Sequence, residues 1–216
     1  MKKYILVLAI IFGAVIFAHS QKVINKSIEV NGQGVKMELD FADNISIEAW
    51  NKNAIELQVT VDIDDNTYND YYSLEVNKKS GKIEIIEEVD FEGIKEKTGK
   101  KKFYNFNTDL VYTLKVPKNL EFELNTISGE IEIKGCQGEM DINTVSGYID
   151  YAIPQAHNAK IDLSTVTGDV YTDVKFDNKL PKEISWVGTN HELSLNGGDI
   201  DVDLKTVSGD IYLRKY

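Results

Sequence analysis

Carboxylates are the residues of this 216-residue chain whose types and spacing come nearest to a chemistry. In the stretch NGGDIDVDL, Asn196 to Leu204, the residues Asp199, Asp201 and Asp203 occupy alternate positions. On a strand that spacing puts all three on one face, where their oxygens suit a hard cation such as calcium. The stretch is a single copy, without the second G-x-D step from which calcium-binding nonapeptide repeats build a cage. Asp199, Asp201 and Asp203 are therefore candidates for loose cation binding only, and calcium is the one cofactor they suggest. Other acids recur at outward positions, among them Glu130, Glu132, Asp141, Asp150, Asp162 and Asp210. Stacked at the roughly 4.8 Å spacing of paired strands they repel one another. The competing reading is a solvated acidic face that keeps the chain soluble. DIDDN, Asp62 to Asn66, begins like an EF-hand loop but has Thr67 where glycine is required and Ser73 where glutamate is required.

Nucleophiles and general bases are fewer. His157 in QAHNA and His191 in TNHEL stand in connecting segments with no metalloprotease, nucleophile-elbow or paired-cysteine motif around them, so each reads as a surface histidine. Cys136, the one cysteine, lies at a turn in KGCQG; it excludes an intramolecular disulfide and suggests a structural role. No acid/base pair can be placed, so no catalytic residue is nominated and the chain is expected not to be an enzyme. Tyrosines in TYNDYY (Thr67 to Tyr72), the aromatics of KFYNF (Lys102 to Phe106), and Tyr148, Tyr171 and Tyr212 are candidates either for glycan recognition or for cross-strand pairs that cover a sheet. The net charge of −11 argues against nucleic acid as a partner. The basic run KEKTGKKK, Lys95 to Lys102, reads as a solvated loop tip.

Strands must position these groups. VKMELDF, NISIEAW, AIELQVTVDI, GKIEIIEEV and DLVYTLKV alternate apolar with polar residues, and the turn signals NGQG (31–34), NKN (51–53) and KKSG (78–81) separate such runs. From Leu120 one motif recurs: NTISGEIE from Asn125, NTVSGYID from Asn143, STVTGDVY from Ser164 and KTVSGDIY from Lys205. Its threonines fall at 126, 144, 165 and 206, and the last, doubled interval predicts a further copy at SWVG, Ser185 to Gly188. Between copies lie GEMDIN, AKIDLS, PKEIS and GGDIDVDLK, so each repeat of about 20 residues holds two short strands. The chain is therefore expected to be all-β: a short β-solenoid, or β-helix-like stack, over 118–216, preceded by a β region over 21–117 that is either separate or continuous with it. In each copy the aliphatics on both sides of the glycine are expected to point inward, here Val145 and Ile149. Gly147 is expected at positive φ, with Ser146 bonding the corner backbone. The last copy is expected to end the stack, with Arg214 and Lys215 guarding its edge.

Residues 1–20 read as a secretory signal peptide: Lys2 and Lys3, an apolar run from Tyr4 to Ala18, and AHS before Gln21. The run is shorter than the roughly 20 residues a spanning helix needs. The mature chain is expected to start at Gln21 and to carry a charge of −13 once Lys2 and Lys3 are lost. It is expected to cross no membrane and to reside in the periplasm, at the cell surface or in the medium.

Three stretches together resemble a bacterial β-strand-repeat family of unknown function to which an adhesin role has been ascribed, akin to the head-GIN autotransporter adhesins. They are FADNISIEAWNKNAIELQVTV (Phe41 to Val61), VYTLKVPKNLEFELNTISGEIEI (Val111 to Ile133) and the recurring T-[VI]-[ST]-G-[DE]-[IV] copies. The resemblance implies an exported β-helical module with no assigned reaction. The expected role is thus a non-catalytic binding or scaffolding element of the cell envelope, with a glycan or an envelope protein as partner and the oligomeric state open. The alternatives are an enzyme acting on envelope polysaccharide and a periplasmic partner of a membrane sensor.

Overall fold

Burial with a period of two governs the long strands. In Ala54–Ile63, for example, Ile55, Leu57, Val59, Val61 and Ile63 are buried while the residues between them are not. The computed structural model describes residues 21–79, 81–99, 106–178 and 190–216. The signal segment and the copy predicted at Ser185 to Gly188 lie outside the described residues.

Two eight-stranded sheets face each other across one hydrophobic core. In lateral order the first holds β1 (Lys22–Glu29), β4 (Ala54–Ile63), β7 (Thr108–Pro117), β3 (Asn44–Trp50), β9 (Glu130–Lys134), β11 (Ile149–Ile153), β16 (Ile211–Lys215) and β13 (Val170–Thr172). The second holds β14 (Asn190–Leu195), β12 (Ala159–Thr165), β15 (Ile200–Ser208), β10 (Met140–Ser146), β8 (Phe122–Ser128), β2 (Gly34–Glu38), β6 (Lys82–Val89) and β5 (Tyr72–Lys79). Consecutive strands in opposite sheets make a coil, and neighbouring coils pair in parallel: β6/β7, β2/β3, β8/β9, β10/β11, β15/β16 and β12/β13. Antiparallel strands close both ends: β5 on β6, β4 on β7 with β1 beyond it, and β14 on β12. The chain is an all-β solenoid, and strands from 21–117 and 118–216 share both sheets.

Stacking does not follow chain order. The C-terminal coil β15/β16 lies between β10/β11 and β12/β13, just as β2/β3 lies between β6/β7 and β8/β9. The expectation that the last copy ends the stack is therefore wrong: Arg214 and Lys215 sit on β16, paired with β11 on one side and, at Ile211–Leu213, with β13 on the other. Part of the doubled interval is spent on β14, which runs back along β12. A turn then carries the chain across the end of β12 into β15, with Asn196, Gly197 and Gly198 at φ 53°, 109° and 76°. Asn196 pins this turn by donating its Nδ2 to the carbonyls of Gln155 (2.9 Å) and His157 (2.7 Å).

Among the described residues one α-helix, α1 (Phe91–Thr98), follows β6 and includes Lys95 and Lys97 of the run read as a loop tip. Asp90 caps it by accepting from the Gly93 amide at 2.8 Å, and Gly99 ends it at φ 64°. Phe41 and Phe91 meet edge to face at 5.0 Å beside the helix start.

Candidate functional site

The repeated corner is built from threonine and glycine. Thr126, Thr144, Thr206 and Thr165 are in register across β8, β10, β15 and β12, and all are buried. Their hydroxyls donate to corner carbonyls: Thr144 to Ser146 at 3.0 Å, Thr165 to Gly209 at 3.0 Å and Thr206 to Gly147 at 3.3 Å. The threonine, rather than Ser146, thus supplies the side-chain bond. A Cβ on Gly147 would stand 2.1 Å from the Gly129 carbonyl oxygen, one on Gly209 2.0 Å from that of Gly147, and one on Gly168 1.9 Å from that of Gly209. Gly147 has the expected positive φ, 118°. What the glycine stack shares, however, is backbone approach between coils.

With threonine facing inward, the next residue must face outward. Ile127, Val145, Val207 and Val166 are 47–54% exposed and follow one another up the corner of four adjacent coils. The expectation that Val145 is buried is overturned, because the inward place at this corner belongs to Thr144; Ile149, beyond the glycine, is buried as expected. On the first sheet, Tyr171 and Tyr212 stack at 5.2 Å with 13° between ring planes, and Tyr148 meets Tyr212 edge-on at 6.0 Å. These are cross-strand pairs, with Tyr171 at the edge strand.

The acidic positions also form ladders. Glu123, Asp141, Asp203 and Asp162 are in register across β8, β10, β15 and β12. Lys36 reaches Glu123 at 3.1 Å, Lys205 sits 3.4 Å from both Asp141 and Asp203, and Lys160 sits 3.5 Å from Asp162. Of the cation candidates, Asp203 is engaged in this way and Asp201 is exposed on the same face. Asp199 accepts from Asn158 Nδ2 at 2.7 Å in the turn. Among the described residues, no three His, Cys, Asp or Glu side chains are grouped to hold a metal ion. Asp150, expected outside, is covered by Arg214, whose Nε donates to it at 2.7 Å. In DIDDN, Asp64, Asp65 and Asn66 all have positive φ and make a turn held by Asp62 Oδ1 and the Asn66 amide at 2.7 Å.

Several titratable groups are buried, in two clusters. His157, expected at the surface, is 2% exposed. The Tyr151 hydroxyl donates to the Cys136 carbonyl at 2.7 Å and accepts from His157 Nδ1 at 2.8 Å. Burial lowers the His157 pKa, with the Gln137 backbone opposing, and pushes the Cys136 thiol up to about 12. Neither group suits nucleophilic or proton-transfer work from a sealed core. Glu87 accepts from the Phe41 amide at 2.7 Å and from the Tyr112 hydroxyl, which also contacts the Tyr72 hydroxyl at 2.6 Å. Burial raises the Glu87 pKa to about 7. Tyr72 of the TYNDYY cluster is thus core, while Tyr68 packs edge to face with Phe106 at 5.6 Å.

At the opposite corner three turns enclose an open groove of about 650 Å³: residues 30–34, 50–53 and 117–121. Sequence reasoning read NGQG and NKN as punctuation alone; their asparagines carried the signal that was passed over.

Residues 117–214, the run that carries the repeats, match the family model Toastrack DUF4097. This bears out the resemblance drawn from the T-[VI]-[ST]-G copies. No curated protein matches the chain. Among solved structures, a "putative cell adhesion protein" from Clostridium sporogenes superposes with a TM-score of 0.53 at 12% identity, over 91% of this chain and 100% of that one. At that identity the likeness is one of fold. A "putative adhesin" from Bacteroides fragilis (TM-score 0.25, 12% identity, 90% of this chain and 98% of that one) and a "putative lipid binding protein" from Parabacteroides distasonis (0.25, 11%, 90% and 96%) are too distant at those scores to inform it.

Proposed function

We propose that this protein is an exported, non-catalytic binding module of the cell envelope, attaching to a glycan or to an envelope protein. The observation that supports it best is the corner ladder of Ile127, Val145, Val207 and Val166: four half-exposed aliphatic side chains on a rigid, regularly spaced backbone. Exposed apolar side chains in a row mark contact surfaces more often than reaction centres. The burial of His157 and Glu87 and the lysine bridging of the ladder carboxylates favour binding over acid/base chemistry. Among the described residues no helix is long and apolar enough to cross a membrane, and the signal sequence supports release from the cytoplasm.

Arrays of glycans and of envelope proteins probed with residues 21–216, with calcium and with chelator, test this. Saturable retention that weakens in a Val145→Ser/Val207→Ser variant is the expected result. Absence of retention, together with release of reducing ends from a polysaccharide, would replace the binding module by an enzyme. Mass spectrometry of the exported chain should give an N-terminus at Gln21.

A further inference from the structure

The groove between the three turns is a site of different chemistry from the corner ladder. Its walls are fixed by backbone bonds between turns: Val30 N–H to Asn53 at 3.0 Å, Lys118 N–H to Trp50 at 3.2 Å and Val35 N–H to Glu121 at 3.0 Å. The Trp50 indole N–H is committed to the Ala54 carbonyl at 2.8 Å, which fixes the ring at the groove wall. Lys52 Nζ stands 4.4 Å from the ring centroid on an exposed side chain.

Five side-chain amides line this space: Asn31, Gln33, Asn51, Asn53 and Asn119. Among the described residues only the Gln33 carboxamide has a protein partner, its Oε1 accepting from the Asn31 backbone N–H at 2.7 Å. Asparagines elsewhere behave otherwise: Asn125 and Asn143 of the ladders, and Asn158 and Asn196 of the turns beside β12, all spend their amides on protein partners. A free carboxamide offers two donors and an acceptor in one plane, which matches the paired donor and acceptor character of neighbouring sugar hydroxyls. Charge narrows the ligand further. On a chain of net charge −11, this groove holds Lys52 and Lys118 against Glu121. It is thus open to an uncharged or carboxylate-bearing ligand that the acidic sheet would repel. The walls are turns and strand termini bonded to one another through their backbones, an arrangement unlike the open strand edge that takes up a peptide by strand addition.

We infer that the groove formed by the turns at 30–34, 50–53 and 117–121 is an oligosaccharide-binding site, in which Asn51, Asn53 and Asn119 read hydroxyls and Trp50 supplies an apolar wall. Lys118, with Lys52 shared between the Trp50 ring and Glu56 at 3.6 Å, gives it tolerance for uronic acids. The site adds a second surface to the binding role proposed above and narrows its ligand to an oligosaccharide, and it stands or falls separately from the ladder.

Residues 21–216 with Trp186→Phe leave Trp50 as the only tryptophan. This protein is titrated with cellohexaose, chitohexaose and hexagalacturonate, followed by Trp50 fluorescence and by the asparagine side-chain amide signals in NMR. The expected result is a saturable change with at least one probe, shifts at Asn51, Asn53 and Asn119, and binding about tenfold weaker in Asn51→Asp/Asn119→Asp. The distant Glu75→Ala should bind as the parent does. Binding that persists unchanged in the double variant, or shifts confined to other residues, would overturn the groove as the site. Silence with all three probes would overturn the carbohydrate assignment while leaving the corner ladder's role intact.

Discussion

Glu87 shows how one buried carboxyl tunes the molecule. Its oxygens accept from the Phe41 amide and the Tyr112 hydroxyl, but burial outweighs both bonds, and Asp40 and Asp43 add repulsion. The folded pKa of about 7 exceeds the ordinary 4.5, so the folded state holds the proton more tightly. Stability from this group is therefore complete below pH 4.5 and is lost as pH rises through 7. At roughly 1.4 kcal/mol per pKa unit, ionising Glu87 costs on the order of 3 kcal/mol. Glu87→Gln keeps an acceptor for Phe41 and gives Tyr112 a donor. Its melting temperature should match the parent near pH 4.5 and exceed it by several degrees at pH 7.5; equal melts at both pH values would refute the linkage. Val145 provides a plainer test of orientation. Val145→Ser should alter stability by no more than about 0.5 kcal/mol, whereas truncating its buried neighbour, Ile142→Ala, should cost about 2–5 kcal/mol in the same denaturant titration.

Corners decide the element scale, and they show what the sequence makes legible. Strand alternation and the threonine spacing announce the solenoid, since side-chain period and coil length are local properties. Reading Val145 as inward failed because the corner gives its inward place to a polar residue, Thr144, whose hydroxyl satisfies a carbonyl. Hydrophobicity alone assigns that place wrongly. The helix was legible in Asp90 and Gly99, its two caps, but the lysine-rich run that overlaps its end hid it. The groove was invisible because its three turns are separated in sequence and meet only through coil stacking. The glycines carry the sharpest prediction at this scale. Gly81 has φ 85° and nothing near its Cβ position, so Gly81→Ala pays only for conformation, about 1 kcal/mol. Gly209 lies outside the left-handed region, yet its Cβ would stand 2.0 Å from the Gly147 carbonyl oxygen. Gly209→Ala should cost about 3 kcal/mol or more, by forcing coils apart. A Gly209→Ala melt no lower than that of Gly81→Ala would mean that close approach does not govern the corner.

At the scale of the whole molecule, the order of stacking sets a constraint on folding that the order of synthesis does not satisfy. β12 finds its parallel partner only when β15 arrives, and β13 finds its own only in β16. Until residues 200–216 are inserted, the β12/β13 coil is joined to the body through chain connectivity and not through ladder bonds to β10 or β11. The C-terminal coil is thus an internal part of the core, contributing the buried Val202, Leu204, Ile211 and Leu213. A chain ending at residue 199 should keep slow amide exchange in β2, β3, β8 and β9, whose partners lie within it, and show much weaker protection at Ile161 and Leu163 of β12, which would keep only the edge strand β14 as a partner. The full chain should protect all of them, and adding residues 200–216 as a separate peptide should restore protection to β12 in a concentration-dependent way. Full protection at Ile161 and Leu163 in the shortened chain would mean that β14, or direct pairing with β10, holds β12 without the inserted coil. Loss of protection everywhere would show instead that the coils fold only as one cooperative unit, with residues 200–216 completing the nucleus.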